Sequence, residues 1–412
     1  MPKLSLKRGS HALWGIADQF LSALSNACMT FAGANLLGTA DFGTYALLFT
    51  AVTIVLGLAR ALTSEVYTVL MSVAESSTRQ RRQAQAMGAS CALGVAALVI
   101  GVLVATAGVG SAAAFGIACV PVLLQDTIRF LLVSERRVKS AFVNDAVWVA
   151  VQFGLLGCIV IMGTATTSLL ALAWGAGAAV ASGVGLAQLS VLPSLSGVPS
   201  WFRDTREFSA YYVLEFAALA GSGYSIVYVV ALFGGLGGAG AYRGAQAVFG
   251  PVTTLIGGLR MVALPTIVRQ RSLGRDRVIR SSLQFAGAVF AVSVLITGAI
   301  FWLKDWVVPL LLGATGAAAM GIIIPMGLGR AFSSASSGPL LGLRALGATR
   351  RSLMARASMS LLTLVAAAVG AWMGGASGAA WGFAAASAAG LMVWTSMLQG
   401  QELLIHEERK GV

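Results

Sequence analysis

Apolar runs of about 20 residues recur from one end of this 412-residue chain to the other, the length a helix needs to cross a hydrocarbon core about 30 Å thick. Within such a core only helices and closed barrels satisfy their own backbone. No stretch shows the alternating ten-residue pattern of a barrel strand. The composition agrees: 57% of residues are hydrophobic and 10% charged, where a soluble protein carries about 25% charged residues. The sequence therefore predicts an all-α polytopic membrane protein. Reading apolar runs between charge clusters gives about twelve spans, near 13–37, 43–72, 88–109, 111–134, 141–163, 166–190, 208–233, 241–267, 282–303, 307–335, 354–374 and 377–399.

The connections alternate in charge. "RQRR", "ERRVKS", "WFRDTRE", "RQRSLGRDRVIR" and "RALGATRRSLMAR" each carry two or more Lys or Arg and count as basic, as do the N-terminal segment (Lys3, Lys7, Arg8) and the C-terminal "HEERK". The intervening connections, "GTADFG", "VGS", "GTAT", "GGLGGAG", "KDW" and "GGAS", hold one basic residue, Lys304. Because basic loops stay on the cytoplasmic side, both termini and every basic loop are expected there. The net charge of +13 then reflects topology and attraction to anionic lipid, not nucleic-acid binding. The N-terminal apolar run continues past Asp18 and Asn26 and reads as a retained helix, not a cleaved signal.

The 50 glycines, with abundant alanine, fit membrane helices that approach closely through small residues. Cys28, Cys91, Cys119 and Cys158 fall inside spans without CxxC spacing and read as packing residues. His11 and His406 lie near opposite ends. Neither a metal site nor a cofactor is expected. No nucleophile constellation or paired carboxylates occur in an exposed loop, so an enzyme is not expected either. Trp14, Trp148, Trp174, Trp302 and Trp306 lie near span ends and read as interfacial anchors.

One stretch echoes another. "LLGTADFGTYALLFTAVTIVLGLAR" ends at Arg60 and "LFGGLGGAGAYRGAQAVFGPVTTLIGGLR" at Arg260, with Tyr45 fifteen residues before the first arginine and Tyr242 eighteen before the second. The two lie six spans apart, and an even separation makes the halves parallel repeats. The expected organisation is an N-terminal lobe at 1–190, an amphipathic cytoplasmic linker at 191–207 and a C-terminal lobe at 208–412. "WFRDTREFSAYY", at 201–212, carries the amphipathic pattern between the lobes.

"ANLLGTADFGTYALLFTAV", "LLQDTIRFLLVSERRVKSAFVNDAVW", "YRGAQAVFGPVTTLIGGLRMVALP" and "LLGATGAAAMGIIIPMGLGRAF" together resemble Wzx-type polysaccharide flippases. These belong to the multidrug/oligosaccharidyl-lipid/polysaccharide (MOP) exporter superfamily. The resemblance covers most of the chain in order but includes no catalytic signature. It implies two six-helix lobes forming a V around a central cavity, in a bacterial cytoplasmic membrane. It also implies that lipid-linked oligosaccharide is moved to the outer leaflet, with other polysaccharide-assembly proteins as further partners.

Charge inside the spans is the remaining clue, since it is expensive in hydrocarbon and usually functional. The cationic candidates for gripping a diphosphate or anionic glycan are Arg60, Arg129, Arg243, Arg260 and Arg330. Arginine binds phosphate oxygens bidentately and keeps its charge. Arg60 and Arg260, at corresponding places in the two halves, would form a clamp, with Arg243 as an outer station. Asp18, Glu65, Asp126, Asp145 and Glu215 are candidates for ion coupling or counter-charge. A plainer reading stands beside this one: arginines near a membrane end reach headgroups, and Asp126 and Arg129, spaced i,i+3, pair with each other. On an ideal helix Arg60 and Glu65 would not share a face. Two other functions compete with a flippase: a cation-coupled multidrug antiporter of the same superfamily, and a non-transporting scaffold, which the short loops disfavour.

Overall fold

The computed structural model describes the backbone of residues 3–71 and 76–400, and the side chains of these except 3–13, 15, 16, 18, 19, 71, 76, 77, 218–222, 261, 349–351 and 353. Every regular element among the described residues is helical. Besides two short 3-10 turns at Gln270–Leu273 and Gly313–Thr315, they are in chain order α1 (Lys3–Leu36), α2 (Thr39–Leu62), α3 (Ser64–Met71), α4 (Ser76–Thr106), α5 (Ser111–Ser134), α6 (Val138–Met162) and α7 (Thr167–Leu189). There follow α8 (Val198–Val248), α9 (Gly250–Arg269), α10 (Arg275–Trp302), α11 (Lys304–Leu312), α12 (Gly316–Ala335), α13 (Ser337–Ala345) and α14 (Thr349–Gln399).

Ten described segments are long and apolar enough to cross a membrane. The last of them, Met354–Gln399, makes two passes, because α14 leaves helical geometry at Gly374 and Gly375. Gly375 has φ of 56°, a backbone that a side chain would strain. Beyond this reversal the arms lie face to face, with Gly370 against Gly378 and Gly382 against Ala366. With α1, the count reaches about twelve helices. Likewise α8 is two arms meeting at Gly235, where φ is 69°. The first arm starts at Val198, so 201–212 is the opening of a long helix and not a separate linker. Pro199 fits there because the first turn of a helix has no use for its missing N–H.

Contacts divide the chain into two compact units, Met1–Leu37 with Thr44–Ala217, and Gly38–Gly43 with Ala218–Val412. In the first, α5 is the central helix, packed on α4, α7, α6 and α3. Small residues permit this: Gly94 of α4 lies against Val120, Gly101 against Ala112 and Gly116, and Gly175 of α7 against Ala118. A buried cluster of Val66, Tyr67, Met87, Ile128, Leu131 and Trp201 fills one end. Trp148 and Trp174 are packing residues and not interfacial anchors, with Trp174 buried and the Trp148 indole donating to the Trp174 carbonyl at 3.0 Å. Trp302 and Trp306, by contrast, are exposed.

In the second unit α12 packs on α14 and α10. Gly329 meets Phe383 and Ala384, Gly327 meets Thr297, and Gly338 of α13 meets Ser282. The interruption between α8 and α9 falls at Phe249, just ahead of Pro251. Pro251 has no N–H to give to the carbonyl of Ala247, four residues back, so the α8 bonding pattern stops there. The Thr253 N–H still reaches the Phe249 carbonyl at 3.2 Å.

These close approaches make a direct test of helix packing. A Cβ on Gly370 would collide with the backbone of Gly378, whereas one on Gly154 would meet nothing within 4 Å. Gly370→Ala is expected to destabilise the protein by about 1–3 kcal/mol, as overpacking does, and Gly154→Ala to leave it unchanged or slightly more stable. Thermal unfolding in detergent of the two variants beside wild type checks this.

Candidate functional site

The first unit neutralises its membrane arginines internally. Arg60, in the last turn of α2, grips Asp126 of α5 with two parallel bonds: Nη2 to Oδ1 at 2.6 Å and Nε to Oδ2 at 2.8 Å. Its guanidinium also lies 5.3 Å from the Phe130 ring centroid. Arg129, one turn beyond Asp126, pairs instead with Asp145 of α6 at 3.1 Å. The i,i+3 pairing of Asp126 with Arg129 expected from spacing alone therefore does not form. Each of the two reaches across to a neighbouring helix, where the opposite charge offers better geometry. Asp126, Arg129 and Asp145 are all buried.

Around the second pair polar side chains form a network. Gln125 donates to Asn144 and Asp145, both at 2.8 Å, and Asn144 donates to the Ala181 carbonyl at 2.7 Å. A buried pair stripped of one member leaves an uncompensated charge, so these carboxylates hold the bundle together. Asp18 lies outside the described side chains.

Arg60 and Glu65 lie on either side of Thr63, where α2 gives way to α3 while the Thr63 N–H still reaches the Ala59 carbonyl at 2.9 Å. The Leu62 carbonyl at this break accepts the indole N–H of Trp201 at 3.0 Å, which fastens the first arm of α8 to it. Glu65 is exposed, and its charged neighbours are Glu215 of α8 and Arg60. Among the described residues no group of three or more His, Cys, Asp or Glu could hold a metal ion.

The second unit is built the other way. A cavity of about 490 Å³ is lined by Arg243 of α8, Arg260 of α9, Arg330 of α12 and Arg356 of α14. No aspartate or glutamate is among its described lining residues. Its volume lies in the range of small-molecule sites. The remaining polar lining comes mostly from hydroxyls, among them Ser333, Ser336, Ser360, Thr363 and Ser387, with Gln246 adding an amide. Arg330 stacks its guanidinium 5.6 Å from the Phe383 ring centroid, and Arg243 donates to Gln246 at 3.4 Å. The Nε atoms of Arg260 and Arg330 are buried and make no hydrogen bond. Neither residue forms an ion pair among the described residues.

Of the five arginines singled out by sequence, Arg243, Arg260 and Arg330 thus meet in one cavity of the second unit, while Arg60 and Arg129 lie in the first. Sequence reading missed Arg356, which follows Arg350 and Arg351 and looks like one more charge of a basic loop. A signal was present nonetheless. Arg356, Ser360 and Thr363 recur at i, i+4 and i+7, a polar stripe on an otherwise apolar helix.

No protein-family model matches the sequence, and no curated protein sequence matches it. Solved structures do match, over nearly the whole chain. A multidrug resistance MATE family transporter of the MOP superfamily, in an inward-facing conformation, superposes with a TM-score of 0.75 at 13% identity, covering 93% of this chain and 96% of that one. The lipid II flippase MurJ, in an inward closed conformation, gives 0.71 at 10% identity, covering 94% and 87%. A MOP superfamily transporter from Pyrococcus furiosus Vc1 (DSM3638), whose reversed binding-pocket polarity suggests a different function, gives 0.63 at 12% identity, covering 94% of each chain. The chain is a multi-pass membrane protein with the fold of MOP superfamily transporters.

Proposed function

We propose that this protein is a transporter that carries a polyprenyl-diphosphate-linked oligosaccharide across the membrane by alternating access, for assembly of a cell-surface polysaccharide. It moves from the leaflet beside the basic loops, the cytoplasmic one, to the other. One observation carries this reading: four arginines line a cavity that has no described acidic residue. Removing an ion from water costs on the order of several kcal/mol even after relaxation, and like charges add repulsion. A site of this kind suits an anionic ligand, whose phosphate oxygens the planar guanidinium groups bind bidentately. The hydroxyls among them suit a sugar.

The likeness of fold to a lipid II flippase is compatible with such a substrate, and the likeness to MATE transporters keeps a second reading in view. A cation-coupled multidrug antiporter would use carboxylates to receive a cationic drug. The sign of the cavity disfavours this, and two of the five acids that could couple an ion, Asp126 and Asp145, are engaged by Arg60 and Arg129. A scaffold would leave a polar cavity of this size unused. On the flippase reading the protein sits in a bacterial cytoplasmic membrane. Anionic lipids meet its basic loops, and other polysaccharide-assembly proteins are its neighbours.

Two outcomes follow for purified protein in liposomes that contain a polyprenyl-diphosphate-linked oligosaccharide. Arg260→Ala and Arg330→Ala should each slow translocation at least about tenfold, a loss of roughly 1.4 kcal/mol, with the protein inserted in normal amount. Normal rates in both would remove the cavity from the substrate path. Arg60→Ala should instead act on stability, lowering it by about 1–3 kcal/mol because Asp126 is left buried without its cation. Asp126→Asn added to it should restore part of that loss. Arg60→Ala protein that unfolds like wild type yet fails to translocate would return Arg60 to the substrate path.

A further inference from the structure

The arginines of the cavity are not all within reach of one another. Arg243 and Arg260 are separated by seventeen residues of α8 and α9, about 25 Å at about 1.5 Å per residue. The interruption at Phe249 bends the path without reversing it, since Phe249 keeps a backbone near the helical region, with φ of −90° and ψ of 3°. The hairpin of α14 provides a second ruler. Its arms pair Gly370 with Gly378, Ala366 with Gly382 and Met359 with Gly390. That register places Phe383, and with it Arg330, level with residue 365, nine residues from Arg356, or about 14 Å along the helix.

The local neighbours sort the same way. Arg260 has the cation of Arg344 as a neighbour, at the start of the basic loop that leads into α14, and Arg330 lies near the neutral hydroxyl of Tyr242, the residue before Arg243. The cavity thus has a station near the basic loops, made by Arg260 and Arg356, and a deeper one, made by Arg243 and Arg330. A diphosphate is much too short to occupy both, yet both open into one cavity whose described lining supplies no carboxylate.

Resting on the flippase reading, we infer that the substrate carries two separate anionic groups: its diphosphate at Arg260 and Arg356, and a second acid on the glycan at Arg243 and Arg330. The second group is the carboxylate of an acidic sugar or a phosphate ester on a sugar, since a guanidinium pair recognises either. Ser333 and Ser360 offer hydrogen bonds to the sugars.

The test uses the full chain in liposomes and three lipids with the same polyprenyl diphosphate and the same neutral sugars. They end in a hexose, a hexuronate or a phosphorylated hexose. Wild type should move at least one acidic lipid about tenfold faster than the neutral one, and which of the two it prefers identifies the second acid. Arg243→Gln should collapse that ratio towards one, whereas Arg356→Gln should slow all three lipids and keep the ratio. Each ratio is internal to one variant, so a difference in folded protein cancels. Equal rates for the three lipids in wild type would overturn the inference and leave the flippase reading standing. So would a ratio that Arg243→Gln and Arg356→Gln alter alike. Failure of wild type to move any of the three would overturn the flippase reading itself.

Discussion

A charge inside a hydrocarbon slab has to be paired, hydrated or given up, and the two units meet that constraint in opposite ways. In the first, Arg60 and Arg129 are each matched to an aspartate on a neighbouring helix, and Gln125 and Asn144 use up nearby polar groups. In the second, Arg260 and Arg330 have no such match among the described residues and face a shared cavity. The first arrangement consumes its charges in holding helices together. The second leaves charge available to a ligand.

The packing explains why the first unit needs such pairs. With lipid as apolar as the side chains, no hydrophobic force draws helices together, and close contact through small residues supplies the attraction. Gly94, Gly101 and Gly175 bring α4 and α7 against α5, but such faces can slide. The charge pairs from α5 to α2 and α6 fix which residues meet. The bond from Trp201 to the Leu62 carbonyl fixes the first arm of α8 at the break between α2 and α3 in the same way. Buried polar groups are well suited to setting register, whatever they contribute to net stability.

Much of the helical layout was legible because hydropathy and glycine placement are local. "GGLGGAG" and "GGAS" read as connections, and α8 and α14 do reverse at Gly235 and at Gly374 and Gly375. The presence of arginines in the spans was equally plain. Their partners were not, because a partner belongs to a neighbouring helix that spacing along one helix cannot identify. Asp126 and Arg129 show this, as does Arg60, whose equivalence to Arg260 in the internal echo gave no hint that an aspartate 66 residues away holds it. Trp148 and Trp174 misled for a related reason: position near a span end suggested the interface, while packing of α6 on α7 buries Trp174 and partly covers Trp148. Arg356 was hidden by the basic loop next to it.

The central claim is that the anionic group of the substrate is held by the second unit's cavity, and photocrosslinking tests it most directly. A polyprenyl-diphosphate lipid with a photoreactive group beside the diphosphate would be bound to the protein in liposomes and irradiated, and the labelled peptides sequenced. Labels concentrated on α9 and the first arm of α14, near Arg260 and Arg356, are the expected result. Labels concentrated on α2 and α5, around Arg60 and Asp126, would contradict the account and make the first unit's ion pair part of the substrate's path.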